Sequence, residues 1–385
     1  MKKWISILLS LIIGLAGLQA EAEEDGTEGG AAAARETAAG VTSPLESGPD
    51  ILTFSLIGDC CIGDHARSPG TKSGYTAKAD ENGFDYPFSY VADLFAADDL
   101  TVANCECTFT TIRNPRNGIM FPMAAPPEYA EILKLGNVDV CNLANNHCLR
   151  DFGKKGGADT AEALTAQGIG WFYDENTYSV TVKGVKIGFV GYTYPMNDQK
   201  LKKYVQGMEQ LRAEGCTFVV ASAHWGTEPT RGKSNGKEYQ LDGNQKYGYK
   251  MIDAGFDMVF GHGSHTCQMI RWYKGKVIFY GLSNFTFGAD AAPRDDDTAV
   301  AQISFDIQKD GTLTPRELAV IPFKMHQNQD YRPYPIQDEE GKMRVWEKMY
   351  YNGYPKHKAS PAPSLPESFL TTGYADLREL PVTEE

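Results

Sequence analysis

The chain has 385 residues, a formal net charge of −13 and an apolar content of 42%. This length provides for one large domain or two ordinary ones, with enough apolar side chains for a sizeable core. The acidic balance, with no long basic cluster, argues against nucleic acid or an anionic membrane as the main partner.

The first 50 residues indicate export and not a folded domain. Lys2 and Lys3 precede an apolar run that ends at Leu18, and small residues follow. This is the layout of a secretory signal peptide, predicted as residues 1–22, although an uncleaved segment of this kind also tethers a protein to a membrane. Residues 23–50 are rich in Glu, Gly, Ala, Thr and Ser and are expected to form a flexible acidic linker. We therefore expect an extracytoplasmic protein, secreted or tethered by its N-terminal segment.

From residue 51 onwards the pattern alternates between strands and helices, and hairpins follow later in the chain. The predicted strands are 51–57, 100–103, an apolar run after Gly136 with Val138 and Val140, 178–182 with 185–190, 217–223, 256–260, 269–273 with 277–282, 299–307 and 318–323. The predicted helices are 87–97, 127–135, 157–167, 197–213 and 244–254. Residues 66–86 are expected to be an irregular insertion. Residues 326–385 are expected to be a loosely structured extension, which leaves 51–325 as the folded domain. This order of elements predicts an α/β body with mixed sheets.

The strand that begins near Val138 ends in a cluster of polar side chains. Asn145, Asn146, His147 and Asp151 follow it within a few residues. Ligands of open α/β sheets collect at the carboxyl ends of strands, so this cluster indicates a functional site. The alternative explanation is an Asn-rich turn that caps the next helix.

Four further predicted strands end in groups of the same kind. These groups are Asp59, Glu106, His224, and His262 with His265. Carboxylate, amide oxygen and imidazole together are typical ligands of Mn, Fe, Zn or Mg, and imidazole favours the transition metals. Taken singly, each strand end has an ordinary explanation, such as a turn, an edge charge or a core histidine. Their coincidence favours a metal site, in which Asp59 or Glu106 bridges two ions and Asn146 and the histidines are terminal ligands.

Eight cysteines are sparse for a disulfide scaffold of this length, and none forms a CxxC pair. They are Cys60, Cys61, Cys105, Cys107, Cys141, Cys148, Cys216 and Cys267. Two interpretations are open: small buried hydrophobic residues, or thiolate ligands of a metal. Export also permits disulfides, whose pairing the sequence does not determine.

The ordered set of motifs resembles the CapA family of bacterial poly-γ-glutamate capsule synthesis proteins over residues 51–325. The motifs are Gly58-Asp59, Asn104-Cys-Glu106, Ala144-Asn-Asn-His147 with Asp151-Phe-Gly153, His224-Trp-Gly-Thr-Glu228, Gly261-His262 with His265 and Gln268, and Leu282-Ser-Asn-Phe285. That family is similar to the calcineurin-like metallophosphoesterases. The resemblance therefore implies a four-layer α/β/β/α sandwich of the metallo-dependent phosphatase type, with mixed sheets and a metal centre at the strand ends.

The resemblance also implies a role for each of these residues. Asp59 corresponds to the first carboxylate and Glu106 to the bridge, while Asn146, His224, His262 and His265 correspond to further metal ligands and His147, with Asp151 beside it, to the proton donor. The chain departs from the superfamily pattern in three places. The first motif lacks its histidine, the bridge is Glu instead of Asp, and two residues instead of one separate the last histidines. The expectation is one or two divalent ions, of Mn, Fe or Zn.

Two functions compete. The first is a metal-dependent hydrolase of a phosphoester or polymer bond. The second is a non-catalytic cell-envelope factor that binds or helps export an anionic capsular polymer, with capsule-assembly proteins at the membrane as partners. Basic residues near the predicted site loops suit an anionic partner or ordinary surface solvation; they are Lys154, Lys155, Arg231, Lys233 and Lys237. The aromatic residues Trp225, Trp272 and Phe285 suit a substrate groove or an ordinary core.

Overall fold

A computed structural model describes residues 41–193, 196–226, 245–288, 295–326, 330–351 and 362–382. The predicted signal peptide and residues 23–40 of the predicted linker lie outside the described residues, as do Arg231, Lys233 and Lys237. In the part of the chain that is described, no helix has the length and apolar character needed to cross a membrane.

The described residues contain strands and helices in alternation up to β11, and mainly strands thereafter. The strands are β1 (Ile51–Cys61), β2 (Asp64–His65), β3 (Leu100–Cys105), β4 (Thr108–Phe109), β5 (Met123–Ala125), β6 (Val140–Asn142), β7 (Gly170–Phe172), β8 (Tyr178–Val182), β9 (Val185–Tyr192), β10 (Phe218–His224), β11 (Met258–His262), β12 (Ile270–Tyr273), β13 (Lys276–Phe279), β14 (Asn284–Phe287), β15 (Asp297–Ile307), β16 (Leu313–Lys324), β17 (Tyr334–Pro335) and β18 (Tyr374–Asp376). The helices are α1 (Tyr75–Asn82), α2 (Ala92–Ala96), α3 (Glu131–Leu135), α4 (Gly153–Ala166), α5 (Asp198–Ala213), α6 (Gln245–Ala254), α7 (Glu339–Tyr350) and α8 (Phe369–Thr372).

Two mixed sheets form the body. The first has the order β17-β16-β15-β1-β3-β6-β7, with β14 also paired to β1 and β18 to β16. Strands β1, β3, β6 and β7 run parallel, whereas β15 and β16 are antiparallel to their neighbours. The second sheet has the order β12-β13-β11-β10-β9-β8, with a parallel centre and antiparallel outer strands. The expectation of mixed sheets is confirmed.

The two sheets pack face to face through an apolar core. Phe54 of β1 and Phe218 of β10 are both buried, and their ring centroids are 5.8 Å apart. Removing one such aromatic side chain from water stabilises the fold by about 1.5–3 kcal/mol. The outer face of the first sheet is covered by residues of α2, α3 and α4, and the outer face of the second sheet by residues of α5 and α6. The predicted four-layer α/β/β/α architecture is therefore confirmed.

The insertion predicted to be irregular contains a helix. Helix α1 lies within residues 66–86, and its start is held by Asp64, a buried carboxylate that accepts a hydrogen bond of 2.7 Å from the Tyr75 backbone N–H. The octapeptide of α1 buries only Tyr75 and Ala79, so its sequence carries little apolar periodicity. This weak pattern explains why the helix was not predicted.

The C-terminal residues are more ordered than expected. Strand β18 pairs with β16, and helix α7 packs Val345, Trp346 and Met349 into the core between the sheets. Asp338 caps α7, since its side chain accepts a hydrogen bond of 2.7 Å from the Gly341 N–H. The prediction of a loosely structured extension was therefore wrong for residues 330–351 and 362–382.

Candidate metal centre

The parallel strands of the two sheets bring their carboxyl ends to one edge. Asp59 lies near the end of β1, and its Cα is in register with that of Asn104 on β3. Across the interface between the sheets, His224 and His262 are the last residues of β10 and β11 and are in register with each other. Because parallel strands share a direction, these ends converge on a single site.

Asp59, Glu106 and His265 form the centre of this site. One ligand atom from each lies within 4.8 Å of the other two. Both carboxylates are essentially inaccessible to solvent. His265 Nδ1 lies 3.5 Å from Asp59 Oδ2 and 2.5 Å from Asn284 Oδ1. Two buried carboxylates in this position repel each other unless positive charge lies nearby, and a divalent cation would supply that charge.

The other two predicted histidine ligands surround the same carboxylates. His262 Nδ1 lies 3.5 Å from Asp59 Oδ1, and its Nε2 lies 2.9 Å from the Ser222 hydroxyl. His224 Nε2 lies 3.6 Å from Glu106 Oε1. The structure thus brings together Asp59, Glu106 and all three histidines, whose roles as ligands stay a prediction.

Asn146 lies in the turn after β6, beside His147. Its Oδ1 atom is buried and makes no hydrogen bond with any other described residue. An orphaned buried oxygen of this kind costs about 1–3 kcal/mol unless something fills its lone pairs. This observation fits the predicted role of Asn146 as a metal ligand. That role stays a prediction.

His147 and Asp151 form a buried pair on the same turn. His147 Nδ1 lies 2.7 Å from Asp151 Oδ2, and its Nε2 lies 3.9 Å from Glu106 Oε1. The Met123 backbone N–H also donates to Asp151 Oδ2, at 3.0 Å. Asp151 therefore fixes the imidazole so that one nitrogen faces the carboxylate and the other faces the acidic centre.

Burial and charge set the protonation states at the centre. Burial by itself raises the pKa of Asp59, but a hydrogen bond from His262 and the charges of His265, His262 and His224 outweigh it and hold this pKa below its ordinary value. Burial lowers the pKa of His224 to about 3, and the nearby histidines reinforce this shift while Asp59 opposes it. An ionised carboxylate and a neutral imidazole are the forms that bind metals.

Close backbone packing positions Asp59. The Asp59 N–H donates to Ser283 O at 2.9 Å, and a Cβ atom at position 58 would lie 1.9 Å from the same oxygen. Only glycine at position 58 allows this approach. His265 and Ser283 both adopt left-handed backbone conformations, with φ of 52° and 67°. Such conformations are costly for non-glycine residues and cluster at functional sites.

Three asparagines lie behind the centre, of which only Asn145 belongs to the polar cluster that the sequence indicates as a functional site. Asn104, Asn142 and Asn145 are fully buried and hydrogen-bonded to one another. Asn284, beside His265, was also missed. Their position at strand ends was visible in the motifs, but asparagine at a strand end is common in turns. Only the tertiary contacts distinguish a buried amide network from such a turn.

The cysteines and aromatic residues are part of the core. All eight cysteines are buried and free. Among the described residues, the groups that bring three potential metal ligands together contain no cysteine, which favours the interpretation as small buried hydrophobic residues. Trp225, Trp272 and Phe285 are at most 4% exposed and pack in the core, so they do not line a groove.

The donor set suits a divalent transition metal, because it combines carboxylates, imidazoles and an amide oxygen in a buried position. The fold and the site together define a four-layer α/β protein with a candidate metal centre at the strand ends. The model of the family described as "Bacterial capsule synthesis protein PGA_cap" matches residues 53–289. This is more than half of the chain, so the chain belongs to this family, and the resemblance seen in the sequence is confirmed.

Several curated proteins are similar to this chain over most of their length. The chain is 26% identical over 325 residues to the capsule biosynthesis protein CapA of Bacillus anthracis, a match that covers 77% of this chain and 72% of that protein. It is 27% identical over 320 residues to the PGA biosynthesis protein CapA of Bacillus subtilis (strain 168), a match that covers 77% of each. It is 27% identical over 296 residues to a probable polyglutamine synthesis accessory protein of Mycobacterium tuberculosis, covering 62% of this chain and 75% of that protein.

Similar solved structures are more distant. A putative 5′-nucleotidase from Staphylococcus aureus superposes with a TM-score of 0.42 at 12% identity, over 76% of this chain and 57% of that one. The calcineurin-like phosphoesterase YfkN from Bacillus subtilis gives a TM-score of 0.38 at 13% identity, over 73% of this chain and 94% of that one. We draw no conclusion about activity from these two structures.

Proposed function

We propose that this protein is an exported, metal-dependent hydrolase of capsule synthesis that acts on an anionic substrate. The substrate is a polymer of the poly-γ-glutamate type or a phosphoester. The observation that carries this proposal is the His147–Asp151 pair, at 2.7 Å, beside the acidic centre. A site that only binds a polymer has no need of an oriented proton-transfer group at its centre.

Asp59, Glu106 and His265 are the groups that would hold the metal, with Asn146, His224 and His262 around them. A divalent cation held there supplies Lewis acidity, which stabilises the negative charge that develops on a substrate oxygen. The buried surroundings strengthen this effect because few water molecules screen it.

His147 is the proposed proton donor to the leaving group. Its Nδ1 faces Asp151, so Nε2 is the atom that gives the proton, and Nε2 is the atom that faces Glu106. Asp151 keeps the ring in one orientation, with Nδ1 toward its own carboxylate and Nε2 toward the acidic centre. Asp151 in turn is fixed by the backbone N–H of Met123, so the pair does not depend on a mobile side chain.

A group of exposed basic side chains next to this pair supports an anionic substrate. We call Arg116, Arg150 and Lys154 the basic rim. The backbone N–H of Arg116 donates to the backbone carbonyl oxygen of Asp151 at 2.8 Å. Arg150 and Lys154 lie close to Asp151 in sequence. The chain as a whole is strongly acidic, so a cluster of this sign beside the site is unexpected on an ordinary surface.

Within the part of the chain that the structure describes, the basic rim is largely free of compensating charge. Among the described residues, Arg116 and Lys154 have no carboxylate within 4 Å, and Arg150 has only Asp151, at 4.0 Å. Unpaired basic side chains attract a polyanion and raise its local concentration. Export is part of the proposal because Lys2, Lys3 and the apolar run after them have the layout of a signal peptide.

The test is a hydrolysis assay with poly-γ-glutamate and a panel of phosphomonoesters and phosphodiesters. The purified protein is assayed with added Mn²⁺ and, separately, after chelation, alongside a His147→Ala variant. We expect cleavage of one substrate class that chelation abolishes and that His147→Ala lowers by about 10²–10⁴-fold. Cleavage of none of these substrates by the metal-loaded protein would overturn the proposal.

The second candidate is a non-catalytic factor that binds an anionic capsular polymer. The departures from the superfamily motifs favour it, in particular Cys61 where a histidine is expected. The same assay separates the two, since this candidate predicts that poly-γ-glutamate binds to the basic rim without being cleaved.

A further inference from the structure

The buried amide of Asn104 lies among the groups that would hold a metal. Its Nδ2 atom is 2.8 Å from Asp59 Oδ1, 3.5 Å from Glu106 Oε2 and 3.5 Å from His224 Nδ1. The residue is inaccessible to solvent. The chemical identity of the atom at this position decides what the centre can bind, because an oxygen there is a ligand and an N–H₂ group is not.

The oxygen and nitrogen of an amide side chain are hard to tell apart by shape and must be assigned from their partners. Here two neighbouring asparagines make the assignment. Asn142 Oδ1 accepts a hydrogen bond of 2.9 Å from the Ala144 N–H, so the Asn142 amino group points the other way and donates to Asn104 Oδ1 at 3.0 Å.

Asn145 gives the same answer independently. Its Oδ1 accepts from the backbone N–H groups of His147 and Cys148, both at 3.0 Å. Its amino group therefore points inward and donates to Cys105 O at 2.8 Å and to Asn104 Oδ1 at 3.3 Å. Backbone N–H groups are donors only, so neither asparagine can be reversed without losing these bonds. Asn104 must direct its oxygen to the asparagines and its N–H₂ group to the carboxylates.

An N–H₂ group in this position has a direct consequence for metal binding. Two metals about 3.5–4 Å apart require a bridging carboxylate, here Asp59 or Glu106, whose lone pairs are free to face both ions. The Asn104 nitrogen instead directs hydrogens at Asp59, which is the acceptor of its shortest bond. We propose that the centre binds a single divalent metal, held by Asp59, Glu106 and His265, and that Asn104 is the positioning residue that excludes a second ion.

The inference rests on the metal centre of the proposed function but not on catalysis. Asn104→Asp provides the critical variant. One carboxylate oxygen continues to accept from Asn142 and Asn145, while the other replaces the N–H₂ group 2.8 Å from Asp59 Oδ1. Two carboxylate oxygens at this distance repel each other unless a proton or a cation lies between them. The variant should therefore gain a metal ion.

The experiment measures metal content by elemental analysis and the EPR spectrum of the full chain after loading with excess Mn²⁺ and removal of unbound ion. We expect one Mn²⁺ per chain and a mononuclear spectrum for the unmodified protein, and two Mn²⁺ with an exchange-coupled spectrum for Asn104→Asp. Asn82→Asp on α1 is the matched control, because it makes the same amide-to-carboxylate change at an exposed residue outside the buried network around Asp59. It should keep a single ion.

Each possible result bears on the inference. Two ions in the unmodified protein, or one in a folded Asn104→Asp variant, would overturn it, as would a second ion in Asn82→Asp. No bound metal in the unmodified protein would overturn both this inference and the proposed function. A single ion that is retained without any hydrolysis would leave the inference intact and reject the hydrolase, so the two failures are distinguishable.

Discussion

His147 and Asp151 are four residues apart and fully paired inside the protein, with 2.7 Å between Nδ1 and Oδ2. Asp151 has no measurable exposure to solvent. The pair lies in the turn that follows β6. The segment directly after this strand therefore carries the proposed proton donor. This proximity in sequence makes the pair directly testable by conservative substitution.

Asp151→Asn should lower the turnover of the hydrolysed substrate by about 10²–10⁴-fold. The amide retains the shape and can still accept from Met123, but it no longer offers His147 Nδ1 the carboxylate that fixes the orientation of the ring. Steady-state kinetics with the metal content measured in parallel tests this. Glu162→Gln, on the exposed side of α4, is the control and should leave turnover unchanged. Equal metal content and equal turnover in both variants would refute the role of the pair.

Arg116→Glu should weaken the binding of poly-γ-glutamate by about 5-fold, because reversal of one exposed charge is worth about 1 kcal/mol. The effect should shrink as salt is added, since ions screen exposed charges. Fluorescence anisotropy with a labelled polymer at two salt concentrations measures it. Lys309→Glu makes the same charge change on the turn between β15 and β16, near the opposite end of β1. An equal loss of binding in that control would mean that only net charge matters.

Lys348→Met should destabilise the protein by about 3–5 kcal/mol, because it leaves buried carboxylates without their partner. Lys348 is only 2% exposed and donates to both oxygens of Asp295, at 2.9 and 2.8 Å. Equilibrium unfolding in urea gives the difference. Lys342→Met, on the same helix α7, removes a pair with the exposed Glu339 and should cost at most about 1 kcal/mol. Similar losses in both variants would contradict the assignment.

Asp98→Asn should stabilise the protein at pH 8 and have little effect near pH 4. Burial raises the pKa of Asp98 to about 7, hydrogen bonds from Ser55 and Thr101 oppose this, and the charges of Asp139 and Asp99 add to it. The folded state therefore holds the proton more tightly than the unfolded state. The protonated Asp98 therefore contributes its full stabilisation below the ordinary carboxyl pKa. This contribution to the free energy of unfolding is lost as the pH rises through about 7.

Urea unfolding of Asp98→Asn and the unmodified protein at several pH values between 4 and 8 measures this effect. The difference in the free energy of unfolding between the two proteins should grow with pH. Asp93→Asn, an exposed substitution on α2, controls for the loss of a surface charge. A difference that stays constant across the range would show that Asp98 does not titrate abnormally.

Much of the candidate site could be predicted because its residues follow strands whose apolar pattern is strong. Asp59, Glu106, His224 and His262 each end or follow such a strand, and parallel pairing brings strand ends together. The histidine positions mattered most, since imidazole at several strand ends is difficult to explain by turn chemistry. The order of layers followed from the same alternation of strands and helices.

The orientation of Asn104 and the position of helix α7 could not be predicted, because they depend on contacts between residues that are distant in sequence. Nothing local distinguishes Asn104 from an ordinary turn asparagine, and its orientation is set by backbone N–H groups about 40 residues away. Helix α7 was missed because Val345 and Met349, which form its buried face, lie among charged residues. Their burial against the sheet, and the pairing of Lys348 with Asp295, stabilise a segment whose local sequence pattern is weak.

The most direct test of the metal centre is elemental analysis of the purified protein, of Glu106→Gln and of Glu128→Gln. Glu106 is buried within 4.8 Å of Asp59 and His265, whereas Glu128 is exposed. We predict near-stoichiometric Mn, Fe or Zn in the unmodified protein and in Glu128→Gln, and its loss in Glu106→Gln with the fold retained. Absence of metal from all three after incubation with excess Mn²⁺, or full metal content in Glu106→Gln, would contradict the account.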